Sequence, residues 1–407
     1  MLISHISDIH LGYAQFNLQE REEDLYAVFE ESVDKSIHEH VEAIILAGDI
    51  FHNPKPNGAS IIKLARELKK LKEKSIPVYF VLGEHDISRT NDVPLLFLFH
   101  NLGLAKRLMP DTPAQIKDLL IYGFNKERLS NVENGLIKPF KKLEKMVKND
   151  GDKRVKKILV LHQGLADFNK FAGEIFASDL PLGFDYYAMG HYHDHIQKRF
   201  PQLENHLVAY PGSLDLGHNE PISDAEKGFL MVDVSNSPEN VTTQWIKIEK
   251  RRPQISYSLD YDELDKHLKY LLDLSVKCQK KPILELKVKG AKIDPKVLSG
   301  ELSKLNDHFL YYAWNTFDEE SVSGYSYDHA NDFNIDKELS KLVLNTLKSE
   351  NLTNLTLDLV QMMNNGDELA GNTSIDKGKN KKIVDHLWKY YENNKKIYQD
   401  KDNGSLN

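Results

Sequence analysis

The chain has 407 residues, a length that suggests two or three domains. A composition 41% hydrophobic and 28% charged is that of a folded, water-compatible protein and excludes wholesale disorder. A single cysteine, Cys278, excludes a disulfide framework and a thiolate-built zinc site, and the formal charge of −8 argues mildly against a polyanionic partner.

In chain order, Leu2 to Ile6 reads as a buried strand. Arg21 to Ile37 reads as a helix with Leu25, Val28, Phe29, Val33 and Ile37 on one face. Ala43 to Ala47 is a second strand, Ile61 to Lys74 a second helix and Pro77 to Leu82 a third strand. Leu119 to Gly123, Ile158 to Leu161 and Tyr186 to Met189 continue the strands, and Phe229 to Val234 with Thr242 to Ile248 form a late β pair. This alternation predicts a layered α/β domain over residues 1–250. The pattern changes at Arg251-Arg252-Pro253. Residues 251–330 read as a small α+β module: a helix from Leu264 to Leu274, a strand from Pro282 to Val288, a helix from Pro295 to Leu305 and a strand from Phe309 to Trp314. Residues 331–407 read as helical segments separated by polar linkers, the last carrying Ile383, Val384, Leu387, Trp388 and Tyr391 at helical spacing. No apolar run approaches the roughly 18 residues of a membrane span, and no basic-then-apolar leader opens the chain, so the expected compartment is cytoplasmic.

The net charge hides a gradient. Residues 1–50 hold two basic and eleven acidic side chains, whereas residues 51–200 hold twenty-five basic and seventeen acidic. Lys138 to Lys157 and residues 277–296 are local lysine zones of the kind that can meet a phosphate backbone, although each also suits a solvated face. Thirteen of the 17 histidines precede residue 251, which marks that part of the chain as the chemical one.

Five clusters sit at predicted strand ends: Asp8-Ile9-His10, Gly48-Asp49-Ile50-Phe51-His52, Gly83-Glu84-His85-Asp86, His162, and Gly190-His191-Tyr192-His193. Carboxylates and imidazoles are the donors suited to divalent transition ions. The x-alternation of a strand would set Asp8 with His10, and His191 with His193, on one side. Glycines before Asp49, Glu84 and His191 would let the backbone come close to an ion. Phosphodiester cleavage needs a nucleophilic water at neutral pH and neutralised phosphate charge, which two ions about 3.5–4 Å apart supply.

This constellation resembles the calcineurin-like metallophosphoesterases, whose pattern is DxH…GD…GNH…H…GHxH. Within them residues 1–250 resemble the Mre-eleven nucleases of double-strand-break repair, SbcD in bacteria. The matching stretches are Ser7-Asp8-Ile9-His10-Leu11-Gly12-Tyr13, Arg21-Glu22-Glu23-Asp24, Ala47-Gly48-Asp49-Ile50-Phe51-His52, Leu161-His162-Gln163-Gly164, Tyr210-Pro211-Gly212-Ser213 and Lys227-Gly228-Phe229. The resemblance implies a layered β-sandwich flanked by helices, plus a small α+β capping domain and C-terminal helices. It implies two Mn2+ per subunit, the first on Asp8, His10, Asp49 and His193, the second on Asp49, Glu84, His162 and His191. His85 would be the general acid or phosphate-orienting histidine, with His52 beside the phosphate. The implied activities are 3′-5′ exonuclease and single-strand endonuclease. The implied partners are DNA ends, a second copy of the chain met through the Arg21 to Ile37 and Ile61 to Lys74 helices, and a Rad-fifty/SbcC-type ABC ATPase met through the C-terminal helices. Localisation would be cytoplasmic, nucleoid-associated where the cell has no nucleus.

One position departs from the pattern, because Glu84 stands where the family has a neutral Asn. Glutamate remains an oxygen donor but adds a negative charge and a methylene. The charge should hold a metal tighter, lower its Lewis acidity and repel a phosphate, so Glu84→Asn is expected to keep or raise activity. Two other readings stay open on the sequence: a metallophosphoesterase acting on a small phosphodiester or phosphoprotein, and a non-catalytic DNA-end scaffold with a weakened site.

Overall fold

The computed structural model describes residues 1–88, 92–149, 155–170, 172–217, 220–235, 241–317 and 352–356. Residues 318–330 of the expected α+β module, and the expected C-terminal helices apart from a short helical stretch at 352–356, lie outside the described residues. So do Lys153 and Arg154 of the first lysine zone.

The first half of the fold runs β1 (Leu2–Ile6), α1 (Gln19–His38), β2 (Ala43–Ala47), α2 (Gly58–Glu73), β3 (Val78–Val81), α3 (Leu96–Asn101) and β4 (Lys106–Arg107). A second run follows: β5 (Ala114–Ile116), β6 (Leu119–Phe124), α4 (Lys138–Asn149), β7 (Lys156–His162), β8 (Tyr186–Gly190), β9 (Ile196–Arg199) and β10 (Leu207–Tyr210). Strands β11 (Gly228–Asp233) and β12 (Thr242–Lys247) return to the first sheet. The two six-stranded sheets have the orders β12-β11-β1-β2-β3-β4 and β5-β6-β7-β8-β10-β9.

Period-two patterning explains why the sheets stack. Ile3 and, from β2, Ala43, Ile45 and Ala47 pack with Ile158, Val160, Tyr186 and Ala188 of the other sheet. The intervening residues, such as Ile44, Leu46 and Phe80, face the apolar stripes of α1 and α2, which carry Leu25, Val28, Phe29, Leu64 and Leu68. On the far side Leu159, Leu161 and Tyr187 meet Phe140, Leu143 and Val147 of α4. The result is a helix–sheet–sheet–helix sandwich whose middle strands, buried on both faces, read as continuous apolar runs. The α4 lysines 141, 142, 145 and 148 are exposed opposite that apolar stripe.

A third sheet, all parallel in the order β13-β14-β15, is formed by β13 (Gln254–Asp260), β14 (Ile283–Lys289) and β15 (Tyr311–Phe317). Helices α5 (Leu264–Lys277) and α6 (Pro295–Leu302) cover it around a core of its own that includes Leu268, Leu271, Leu284, Leu286, Leu298 and Leu302. It is tied to the sandwich by a buried ionic knot. Asp24 accepts from Arg21 at 2.7 Å, Arg252 at 2.6 Å and Lys280 at 2.8 Å, while Asp215 accepts from Arg21 at 2.9 Å and Arg251 at 3.0 Å. Phe16 stacks on Tyr311 at 4.0 Å across the same junction. The Arg21-Glu22-Glu23-Asp24 stretch thus anchors one module to the other. No helix among the described residues is long and apolar enough to cross a membrane.

Candidate metal centre

The five clusters meet where β1, β2, β3, β7 and β8 end. Asp8, His10, Asp49, Glu84 and His85 leave the first sheet, and His162, His191 and His193 leave the second. Strand alternation is not what aligns Asp8 with His10, because β1 stops at Ile6. Both residues instead adopt left-handed backbone angles, with φ of 52° and 51°. Asp49 at 49° and His191 at 107° do the same. A positive φ is costly for a residue with a Cβ, about 1–3 kcal/mol where it is sustained, and such strain gathers at functional sites. Four of the seven expected ligands carry it.

Two glycines let the loops close. A Cβ on Gly190 would lie 2.0 Å from the Ala47 carbonyl oxygen of the opposite sheet, and one on Gly83 would lie 2.1 Å from Asp49 Oδ1. Asp86 stitches two of the loops by accepting from the N–H groups of Ile50, Phe51 and Gly83 at 3.3, 2.9 and 2.9 Å. Burial, then the nearby Asp49 charge, raises the Asp86 carboxyl to about 7.

The donor atoms face inward because their other atoms are occupied. The Asp49 Oδ1 accepts the His85 N–H at 2.8 Å, which turns Oδ2 toward His162 Nε2 at 3.3 Å and His10 Nε2 at 4.0 Å. One carboxylate therefore reaches both expected donor sets. His162 Nδ1 donates to the Ala47 carbonyl at 2.8 Å, and His193 Nδ1 donates to Glu220 Oε1 at 2.8 Å. Each bond commits Nδ1 as a donor and turns Nε2 inward, where a bound ion would take the place of a proton. His193 Nε2 stands 3.1 Å from His10 Nε2 and 3.8 Å from Asp8 Oδ1. The Asp8 Oδ2 accepts the His191 N–H at 3.1 Å. Its Oδ1 and the His162 Nε2 are buried without a hydrogen-bond partner. Such orphans are expensive unless something supplies the missing contact, and oxygen and imidazole donors converging on them suit a divalent ion.

Donor atoms of Asp8, His10 and His193 lie within 4.8 Å of one another, as do those of Asp8, Asp49 and His162, of Asp49, Glu84 and His85, and of His10, His52 and His85. His191 joins none of these groups. Its ring nitrogens lie 3.4 and 3.5 Å from Lys126 Nζ, and Nδ1 is 4.0 Å from Glu84 Oε2. His85 donates from Nδ1 to the His52 carbonyl at 2.8 Å, and its ring stacks on that of His52 with centroids 5.2 Å apart.

Electrostatics follow from burial and charge. Burial works against a proton on His162, but the Asp49 and Asp8 carboxylates outweigh it and raise the imidazole to about 9. Burial, then neighbouring cationic groups, pushes His191 well below its ordinary value, and burial pushes His10 down as well. Asp8 is raised, chiefly by burial. Burial opposes the Glu220 charge, yet His193 and Lys227 hold its carboxyl down at about 2.

Other expected residues sit around the centre in supporting positions. The Tyr210-Pro211-Gly212-Ser213 loop backs His193, whose carbonyl accepts from Ser213 N at 3.1 Å and from Lys227 Nζ at 2.9 Å. His195 is outside the donor groups and stacks on Trp245, and His5 is buried with its Nδ1 2.8 Å from the Tyr186 hydroxyl. Sequence reasoning did not find Glu220, Lys126 or Glu174. Each is remote in the chain from the residue it serves, and no local spacing marks it.

Residues 1–195 match the calcineurin-like phosphoesterase family. Over the longer chain, similar curated proteins include the DNA double-strand break repair protein Mre11 of Sulfurisphaera tokodaii, 34% identical over 90% of this chain and 93% of that protein. The proteins of the same name from Saccharolobus solfataricus and Sulfolobus acidocaldarius are each 31% identical, the former over 88% of this chain and 94% of its own length, the latter over 77% and 81%. With the sandwich fold, the inward carboxylate–imidazole centre and this near full-length likeness together, the chain belongs to the Mre11 family of DNA double-strand break repair proteins.

Proposed function

We propose that the protein is the two-metal DNA nuclease subunit of a double-strand-break repair complex, with 3′-5′ exonuclease and single-strand endonuclease activity. The observation that carries this reading is Asp49 Oδ2, which faces His10 of one donor set and His162 of the other beside two orphaned buried donors. In this reading Asp8, His10, Asp49 and His193 hold one Mn2+, and Asp49, Glu84, His162 and His191 hold the second. The bound ions would supply Lewis acidity, lowering the pKa of water and neutralising the phosphate.

The chain's own groups supply positioning and proton transfer. Because His85 Nδ1 is committed to a carbonyl oxygen, Nε2 is the atom that exchanges a proton with substrate. Protonated, it donates to the departing 3′ or 5′ oxygen. The stacked His52 ring limits the tilt of His85 and stands beside the scissile phosphate. Glu220 holds His193 in the tautomer that presents Nε2.

Residues 1–250 would form the nuclease domain, 251–330 a domain that caps bound DNA, and 331–407 a helical segment that docks a Rad-fifty/SbcC-type ABC ATPase. The exposed lysines 277, 281, 289, 292 and 296 support the capping role. A homodimer through α1 and α2 completes the assembly.

The test is incubation of the purified chain with Mn2+ and labelled single-stranded and blunt-ended DNA, beside a nitrophenyl phosphodiester and a His85→Ala control. The expected result is DNA cleavage that falls by about 10²–10⁴-fold in the control while Mn2+ binding persists. Cleavage of the ester without DNA would favour a small-substrate phosphoesterase. DNA binding without any cleavage would favour a scaffold.

A further inference from the structure

Lys126 follows β6 and is held with unusual rigour for a loop lysine. Its N–H donates to the Leu82 carbonyl at 2.8 Å, while Leu82 N–H donates to Asn125 Oδ1 at 3.0 Å. The next residue, Glu127, donates its N–H to Gln163 Oε1 at 2.7 Å and accepts from Gln163 Nε2 at 3.1 Å. The loop is therefore clamped on one side to the strand that leads into Glu84 and on the other to the residue after His162. The Lys126 side chain is only 7% exposed. Its ammonium donates to Glu174, whose second oxygen is itself fixed by the Gly164 N–H at 2.8 Å. The same ammonium lies 3.7 Å from Glu84 Oε2 and within 3.5 Å of both His191 ring nitrogens.

We infer that Lys126 sets the charge of the second metal site, offsetting the carboxylate of Glu84 so that the loaded site is not left anionic toward a phosphate. This rests on the reading that Asp49, Glu84, His162 and His191 hold a divalent ion. Asp49 and Glu84, with Glu174 beside His191, bring three negative charges, one more than a divalent ion cancels. The fixed ammonium, shared between Glu174 and Glu84, cancels the third and leaves the loaded site neutral. Glu84 and Lys126 thus act as a unit equivalent in charge to a neutral donor at position 84. This alters the expectation for Glu84→Asn: the single change removes one negative charge beside the ion while Lys126 stays, and weakens metal binding.

The test is calorimetric titration of the full chain, stripped of metal, with Mn2+, followed by titration of the loaded protein with inorganic phosphate. Lys126→Met should tighten the weaker Mn2+ step by about tenfold and weaken phosphate by about tenfold, a range typical for groups flanking metal ligands. Lys126→Arg should stay within about twofold of the parent in both. Glu84→Asn should weaken Mn2+ and tighten phosphate, and Glu84→Asn with Lys126→Met should return both near the parent. A lysine that merely props the loop would, when removed, weaken metal and phosphate together. That result, or no change in either, overturns the inference while a parent binding two Mn2+ leaves the functional reading standing. A parent that binds no Mn2+ overturns both.

Discussion

Gly190→Ala tests whether the centre depends on the approach of the two sheets. Gly190 ends β8 with its α-carbon against the end of β2, and an added Cβ would sit 2.0 Å from Ala47 O and 2.8 Å from His162 Nδ1. Real Cβ atoms essentially never come within 3.0 Å of such a neighbour, so the strand ends must part by about 1 Å. That gap opens between the sheet carrying Asp8, His10 and Asp49 and the sheet carrying His162, His191 and His193. Metal–ligand distances tolerate only about 0.2 Å, and a misplacement of about 1 Å costs on the order of 10²-fold in rate. The expected outcome is a loss of Mn2+ affinity of at least about tenfold, a turnover loss of about 10²-fold, and a stability cost of about 1–3 kcal/mol. Calorimetry and cleavage of a nitrophenyl phosphodiester read the first two, and urea unfolding reads the third. Gly58→Ala is the control, since a Cβ there meets nothing within 4 Å. A Gly190→Ala protein that binds Mn2+ and turns over within twofold of that control would refute the reasoning.

Glu220→Gln keeps the shape beside His193 but removes the charge that fixes its tautomer, so Mn2+ affinity should fall about 10–100-fold, and the unfolding midpoint should fall as well because the buried Lys227 loses its carboxylate partner. Asp24→Asn leaves Arg21, Arg252 and Lys280 short of their shared anion. Breaking a buried pair costs about 3–5 kcal/mol, and because the Lys280 contact is a third exposed, the lower end is expected in urea titrations. The pH dependence should follow the same group. Burial alone would raise the Asp24 carboxyl, but Lys280, Arg252 and Arg21 hold it below the ordinary 3.8. Its contribution is complete above the unfolded value and is lost as pH falls through the native one. The urea midpoint of the parent should therefore drop more steeply below about pH 4 than that of Asp24→Asn, and equal slopes would count against the knot.

The long elements of the sandwich were legible because their periodicity is strong. The β2 run Ala43–Ala47 is apolar throughout since both its faces are buried, and α1 and α2 show clean stripes. Shorter pieces escaped. Strand β9 (Ile196–Arg199) is four residues of mostly exposed, polar sequence at a sheet edge, and β13 (Gln254–Asp260) has the Ile-Ser-Tyr-Ser-Leu alternation of a strand but is not among the predicted elements. The donors themselves were legible as motifs because carboxylates and imidazoles at strand ends are chemically distinctive. Their alignment was not. Left-handed turns at Asp8 and His10 do what strand pleating was expected to do, and nothing in an Asp-x-His tripeptide announces them. Glu220, Glu174 and Lys126 stayed invisible because their partners are brought near only by the closed fold.

The left-handed backbone at Asp8, His10, Asp49 and His191 has a meaning for descent as well as for geometry. Each such residue carries a conformational cost that a glycine at the same position would escape, so selection for stability alone erodes these side chains. Proteins sit only slightly above the stability they need. A lineage that ceased to require the centre would drift at these four positions first, while the buried strands behind them stayed apolar. Their clustering at the strand ends is a cost to stability written in backbone angles rather than in contacts.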